Sequence, residues 1–146
     1  MTTVAEIAEQ LNRELHCVGP KDAVLKALRI MGVHKQGAIL ILDQGRLQGI
    51  FSEHDLLERV VLQERDPGQT QIVEVMTTKV FTVEPTTTAE QCLVLMNEAG
   101  VRHVPVLRRG EVMALLNVLD LVNAVLKEKS QMIGQLEKYV SETWPL

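Results

Sequence analysis

A chain of 146 residues that is 46% hydrophobic but only 3% aromatic has the aliphatic material for a core and too few rings to stack single-stranded nucleic acid. A net charge of -4 at pH 7 argues against a surface built for phosphate backbones, so no nucleic-acid partner is expected. The start lacks a basic and apolar leader, no apolar run approaches the roughly 18 residues that cross a bilayer, and Cys17 and Cys92 form neither a disulfide framework nor a metal spacing. These features lead us to expect a cytoplasmic protein with no membrane partner and no metal.

The chain opens with Val4, Ile7, Ala8 and Leu11 on one helical face, which predicts a short packed helix. From residue 15 it repeats itself at an offset of 65 without a gap: Val18 meets Val83, Pro20 meets Pro85, Met31 meets Met96, Gly45 meets Gly110 and Asp55 meets Asp120. Apolar positions match across the offset while the polar ones drift, as two copies of one fold require. Each copy begins with a short extended piece, 15–18 or 80–83, that ends at a proline. A helix follows, with Asp22 and Thr87 as aligned N-caps, a Thr87–Glu90 capping box, and Gly32 and Gly100 as stops. Next come an apolar strand (38–42, 103–107), a turn using Gly45 or Gly110 at positive φ, and a returning strand (47–51, 112–116). A second helix starts near Glu53 and Val118, so the order β-α-β-β-α occurs twice, with 66–70 between the copies.

The second strand of each copy runs into equivalent segments, Gly49-Ile50-Phe51-Ser52-Glu53-His54-Asp55 and Ala114-Leu115-Leu116-Asn117-Val118-Leu119-Asp120. A small polar residue opens a helix and a carboxylate follows three positions on. A helix N-terminus offers N–H groups and partial positive charge to a phosphate, and an aspartate one turn along can accept from both ribose hydroxyls. The same spacing is an N-cap with a first-turn carboxylate, which needs no ligand, and spacing alone leaves both readings open. Arg102 and His103, at the head of a strand containing Pro105, could meet a phosphate; the counterpart in the first copy is Gly37-Ala38-Ile39, without a basic pair. No hydrolase elbow, Walker loop, zinc motif or dinucleotide fingerprint occurs, and the four histidines lack ligand spacing, so catalysis is not expected. Past the second copy an apolar stripe at three- and four-residue steps continues from Val122 to Val140, crossing Gly134. It can fold back on its own core or form a seam between subunits; the seam is the preferred expectation. Trp144-Pro145-Leu146 is a candidate anchor for the tail.

The two Asp-bearing segments, the connector Val73-Glu74-Val75-Met76-Thr77 and Arg102-His103-Val104-Pro105-Val106 together resemble a pair of CBS domains, named after cystathionine β-synthase and often called a Bateman module. The resemblance covers residues 4–127. It implies an α/β (α+β) fold of two tandem βαββα repeats related by a pseudo-two-fold axis, in a bacterial-type stand-alone pair. It divides the chain into an N-terminal helix with repeat 1 (1–65), a linker (66–76), repeat 2 (77–127) and a helical tail (128–146). It also implies a regulatory module, not an enzyme, holding AMP, ADP, ATP, NAD or S-adenosylmethionine in a cleft between the repeats, usually as a homodimer acting on a further protein. On that implication Asp55 and Asp120 hold ribose, Ser52 lies beside ribose or phosphate, and His54 and Asn117 are further binding residues. Arg102 and His103 approach the phosphates, Gly37, Ala38, Ile39, Thr78 and Val80 border the adenine, and Pro105 is a further binding residue. Ala114 stands where the pattern has glycine and Asn117 where it has Ser or Thr, so the two clefts are expected to differ. The alternative is an interaction module that works without ligand.

Overall fold

The computed structural model describes residues 1–143, so the predicted Trp144–Leu146 anchor lies outside the described residues. Helix α1 (Val4–Leu11) is followed by β1 (Cys17–Val18), α2 (Val24–His34), β2 (Ala38–Asp43) and β3 (Arg46–Ser52). A single turn, α3 (Glu53–Asp55), widens into a π-helical stretch at Leu56–Val61. A 3-10 turn at Ile72–Glu74 leads to α4 (Ala89–Ala99), β4 (His103–Arg108), β5 (Glu111–Asn117) and α5 (Val118–Thr143). The bounds of α2, β2 and β3 reappear 65 positions later in α4, β4 and β5, so the offset seen in the sequence holds for the backbone. β1 pairs parallel with β2 and β2 antiparallel with β3, while β4 and β5 form a separate hairpin. Where the second copy lacks a strand equivalent to β1, a parallel bridge joins Val83 to Val106, 65 positions beyond the Val18–Ile41 pair.

The offset also corrects the predicted caps. α2 and α4 begin after Ala23 and Thr88 and end at Lys35 and Gly100, both left-handed, with φ of 53° and 69°. Gly32 lies inside α2, one turn before its stop. The capping box is Thr88 with Gln91, not Thr87 with Glu90. Asp22 does not cap α2; its Oδ2 accepts from the Gly19 N–H at 2.7 Å, and this hydrogen bond, helped by Lys26, holds its carboxyl below the usual range against a smaller opposing effect of burial. Gly45 and Gly110 both sit at φ 80°, as predicted.

The chain forms two compact units. One comprises Met1–Arg13, Phe81–Leu107 and the chain from Met113 onward; the other comprises Glu14–Val80 with Arg108–Val112. α1 thus packs in the unit that holds α4, β4 and the start of α5. The Val4 N–H donates to the Thr87 carbonyl at 2.8 Å, the Ala89 N–H donates to the Thr2 carbonyl at 2.9 Å, and Val4 and Ile7 are buried in the core that holds Cys92 and Met96. Burial pushes the Cys92 thiol up to about 11. Residues 66–76 lie in the other unit. The Val24 N–H donates to the Thr70 carbonyl and the Ile72 N–H to the Asp22 carbonyl, and Ile72 and Val75 join a core around Phe51, Ile39 and Ile41. Each repeat is therefore completed by the segment that in sequence precedes the other repeat or opens the chain.

Thr77 and Ile50 exchange two backbone hydrogen bonds of 2.8 and 3.0 Å, bringing the connector onto β3. That approach requires Gly49, where a Cβ would stand 2.7 Å from Met76 Sδ and 2.8 Å from the Thr77 carbonyl oxygen. Among the described residues no equivalent bridge forms at Leu115, and there alanine, Ala114, is accommodated. Gly49→Ala is expected to cost about 1–3 kcal/mol by overpacking against backbone that cannot swing aside. A lower urea midpoint at unchanged slope is the expected measurement, and an unchanged midpoint would refute the account.

Candidate functional site

In the first repeat the site is built where β3 becomes α3. Ser52 has extended backbone and caps the turn, its Oγ accepting from the Asp55 N–H at 3.3 Å. Asp55 answers with Oδ2, which accepts from the Ser52 N–H at 3.0 Å and the Ser52 hydroxyl at 3.1 Å. Its Oδ1 accepts from the Thr77 hydroxyl at 3.0 Å, with Arg59 Nε 3.7 Å away. The Arg59 guanidinium also donates to the Met76 carbonyl at 2.8 Å, so one arginine ties the helix to the connector. Asp55 is left 5% exposed, a carboxylate whose burial is offset by three hydrogen bonds and a cation.

The second repeat uses the same plan with other donors. The Asp120 N–H donates to Asn117 Oδ1 and the Asn117 N–H to Asp120 Oδ2, each at 2.9 Å. The partner from outside the repeat is Arg13, whose guanidinium forms a hydrogen-bonded ion pair with Asp120 Oδ2, the oxygen that also takes the Asn117 N–H, whereas Thr77 meets the other oxygen of Asp55. In both repeats the strand head closes the helix start. The Glu53 N–H donates to the Gly37 carbonyl and the Val118 N–H to the Arg102 carbonyl, each at 3.0 Å. Part of the helix-terminal donor set is thus already used within the chain.

Among the sequence-predicted site residues, one unit brings together Gly37, Ala38, Ser52 and Asp55, with Ala38 opposite Ser52 in the ladder. The other brings together Arg102, Asn117 and Asp120. Ala38 and Ile39 are fully buried, main chain included. Arg102 is exposed and His103 half-buried. Pro105 is buried, and its carbonyl accepts from the Val83 N–H. Thr78 is exposed and accepts from the Val80 N–H, and the exposed His54 lies 3.2 Å from Glu58, one turn along. Thr77, Arg59 and Arg13 were not among the predicted site residues. The offset held a signal for Arg13, since Thr77 and Thr78 fall opposite Asn12 and Arg13, just before the alignment begins.

Among the described residues no three His, Cys, Asp or Glu side chains gather as a metal site, and no helix is long and apolar enough to cross a membrane. The CBS domain family model matches residues 2–62 and 72–127. The mitochondrial CBS domain-containing protein CBSX3 of Arabidopsis thaliana is 30% identical over 124 residues, which are 82% of this chain and 60% of that protein. The chain thus spans less than two thirds of that relative. The structure of a CBS-domain protein from Burkholderia ambifaria is 38% identical with a TM-score of 0.81, covering 86% of this chain and 95% of that one. The fold is also that of CBSX2, solved in complex with AMP, at 24% identity and a TM-score of 0.72 over 88% of this chain and 99% of that one. Two matched segments, two sheets at one offset and two carboxylate-capped helix starts agree: the chain belongs to the CBS-domain family and carries two copies of the domain.

Proposed function

We propose that the protein is a regulatory module, not an enzyme, that binds an adenine nucleotide at the helix starts carrying Asp55 and Asp120. The observation that carries this reading is the recurrence, at one offset, of a capped helix start with a carboxylate and a closing strand-head carbonyl. The AMP held by the neighbour CBSX2 adds support. Asp120 would hold ribose, with Arg13 and Arg102 available to phosphate; Asp55 and Ser52 would do so in a less cationic setting. AMP, ADP, ATP and NAD share the ribose and adenine these groups would recognise. Binding would act on a partner protein by favouring one conformation or assembly, only to the extent that affinity differs between states. Bound at 100 times its dissociation constant, a nucleotide would stabilise the fold by about 2.7 kcal/mol and raise the melting temperature by roughly 2–8 °C. A panel of AMP, ADP, ATP, NAD and S-adenosylmethionine that produces no shift at millimolar concentration would reject this reading.

One observation favours a second reading. Both carboxylates already have protein donors, so the two helix starts are complete as caps and an interaction module could work without ligand. Arg13→Gln separates the two. It should change the concentration of nucleotide needed for stabilisation if Asp120 meets ribose, and only lower stability slightly if it does not.

A further inference from the structure

The two carboxylates differ in what they leave open. At Asp55 both oxygens are engaged: Oδ2 accepts from the Ser52 N–H and hydroxyl, and Oδ1 from the Thr77 hydroxyl. Arg59, the cation beside it, already donates to the Val75 and Met76 carbonyls. At Asp120 only Oδ2 is engaged, by the Asn117 N–H and the Arg13 guanidinium, and among the described residues nothing donates to Oδ1. The arginines divide the same way. Arg13 pairs with Asp120, and the Arg102 carbonyl takes the Val118 N–H of the same helix start. At the offset of 65 their counterparts are Thr78 and Gly37, both uncharged.

Arg13 is placed for a second partner. A guanidinium carries five N–H donors, Asp120 Oδ2 is the acceptor described for this one, and its side chain is 43% exposed. It can keep its carboxylate and still present a planar pair of donors to an anion, the geometry that suits a phosphate. We infer that Arg13 is the specificity-determining residue of the Asp120 site: it selects adenine nucleotides carrying a 5′-phosphate over adenosine and S-adenosylmethionine, and the site at Asp55 makes no such selection. This rests on the nucleotide reading above, in which ribose hydroxyls donate to the open Oδ1 of Asp120 and the 5′ substituent begins one sugar ring away. Adenosine serves Asp120 but gives Arg13 no acceptor to replace the water it displaces. S-adenosylmethionine carries a sulfonium where the phosphate would be, and its positive charge is repelled by Arg13 and Arg102. Because Arg13 is partly exposed, its phosphate contact falls at the lower end of the range for charged hydrogen bonds, about 10-fold in affinity.

Isothermal titration calorimetry of the full chain with AMP, adenosine and S-adenosylmethionine tests the role of Arg13. Wild type should bind one AMP per chain, about 10-fold or more tighter than either of the other two. Arg13→Gln should weaken AMP about 10-fold and leave adenosine no weaker, because it removes the phosphate partner without touching Oδ1 of Asp120. The preference for AMP over adenosine is the decisive quantity, since a residue that only held the site in shape would change both affinities together. Equal binding of AMP and adenosine by wild type, a preference that survives Arg13→Gln, or a loss of both ligands in equal measure overturns the role given to Arg13. Two AMP sites of equal affinity per chain overturn its restriction to Asp120. A wild type that binds none of the three at millimolar concentration instead rejects the nucleotide reading itself.

Discussion

Replacing Asp55 with alanine is expected to destabilise the protein by about 2–4 kcal/mol, more than the roughly 1 kcal/mol of an ordinary helix cap. The excess comes from position. Asp55 is 5% exposed and takes hydrogen bonds from the Ser52 N–H, the Ser52 hydroxyl and the Thr77 hydroxyl. Alanine leaves these donors facing an apolar cavity and removes the countercharge from Arg59. It also loosens the connector, because Thr77 is the residue that bridges to β3. Asp55→Asn, which keeps a carbonyl oxygen, should cost less. Asp120→Ala should cost only about 1–2 kcal/mol, because its partner Arg13 has a 43% exposed side chain that water can serve. Chemical denaturation of the three variants checks the order. An Asp120→Ala loss equal to or above that of Asp55→Ala would contradict the assignment of Asp55 as the more deeply integrated group.

The same two aspartates mark the limits of what was legible beforehand. Their equivalence, the hairpins, the positive-φ glycines and the uninterrupted last helix all follow from local pattern repeated at one offset. The caps slipped by one to three positions because residue type outweighed the offset. Gly32 looks like a helix stop, but the residue opposite Gly100 is Lys35, and a lysine takes the left-handed conformation there. The partners of the aspartates were harder to see. Thr77 lies 22 positions from Asp55 and Arg13 107 positions from Asp120, and no periodicity in either segment encodes such a pairing. The exchange of α1 and the connector between units was hidden for the same reason. An amphipathic helix declares that it will be buried, not against which core.

That exchange leads to the other large effect, at Ile7. Although it precedes the first repeat, its side chain is 3% exposed in the core that also buries Cys92. Ile7→Ala removes three carbons from that core and should cost about 2–4 kcal/mol. The chain carries a reporter for where the loss is felt. Cys92 is fully buried with its thiol pushed up to about 11, whereas Cys17 is exposed and lies in the other unit. A maleimide can reach Cys92 only when its unit opens, so modification should follow the population of the open form. A loss of 2–4 kcal/mol corresponds to roughly 30- to 1,000-fold faster labelling of Cys92. Cys17 should react quickly in wild type and variant alike, and peptide mass spectrometry separates the two sites. Val24→Ala, in the core around Phe51, is the matched control and should accelerate Cys92 far less. If Ile7→Ala leaves Cys92 protected while Val24→Ala exposes it, α1 belongs with the repeat it precedes in sequence and the exchange is wrong.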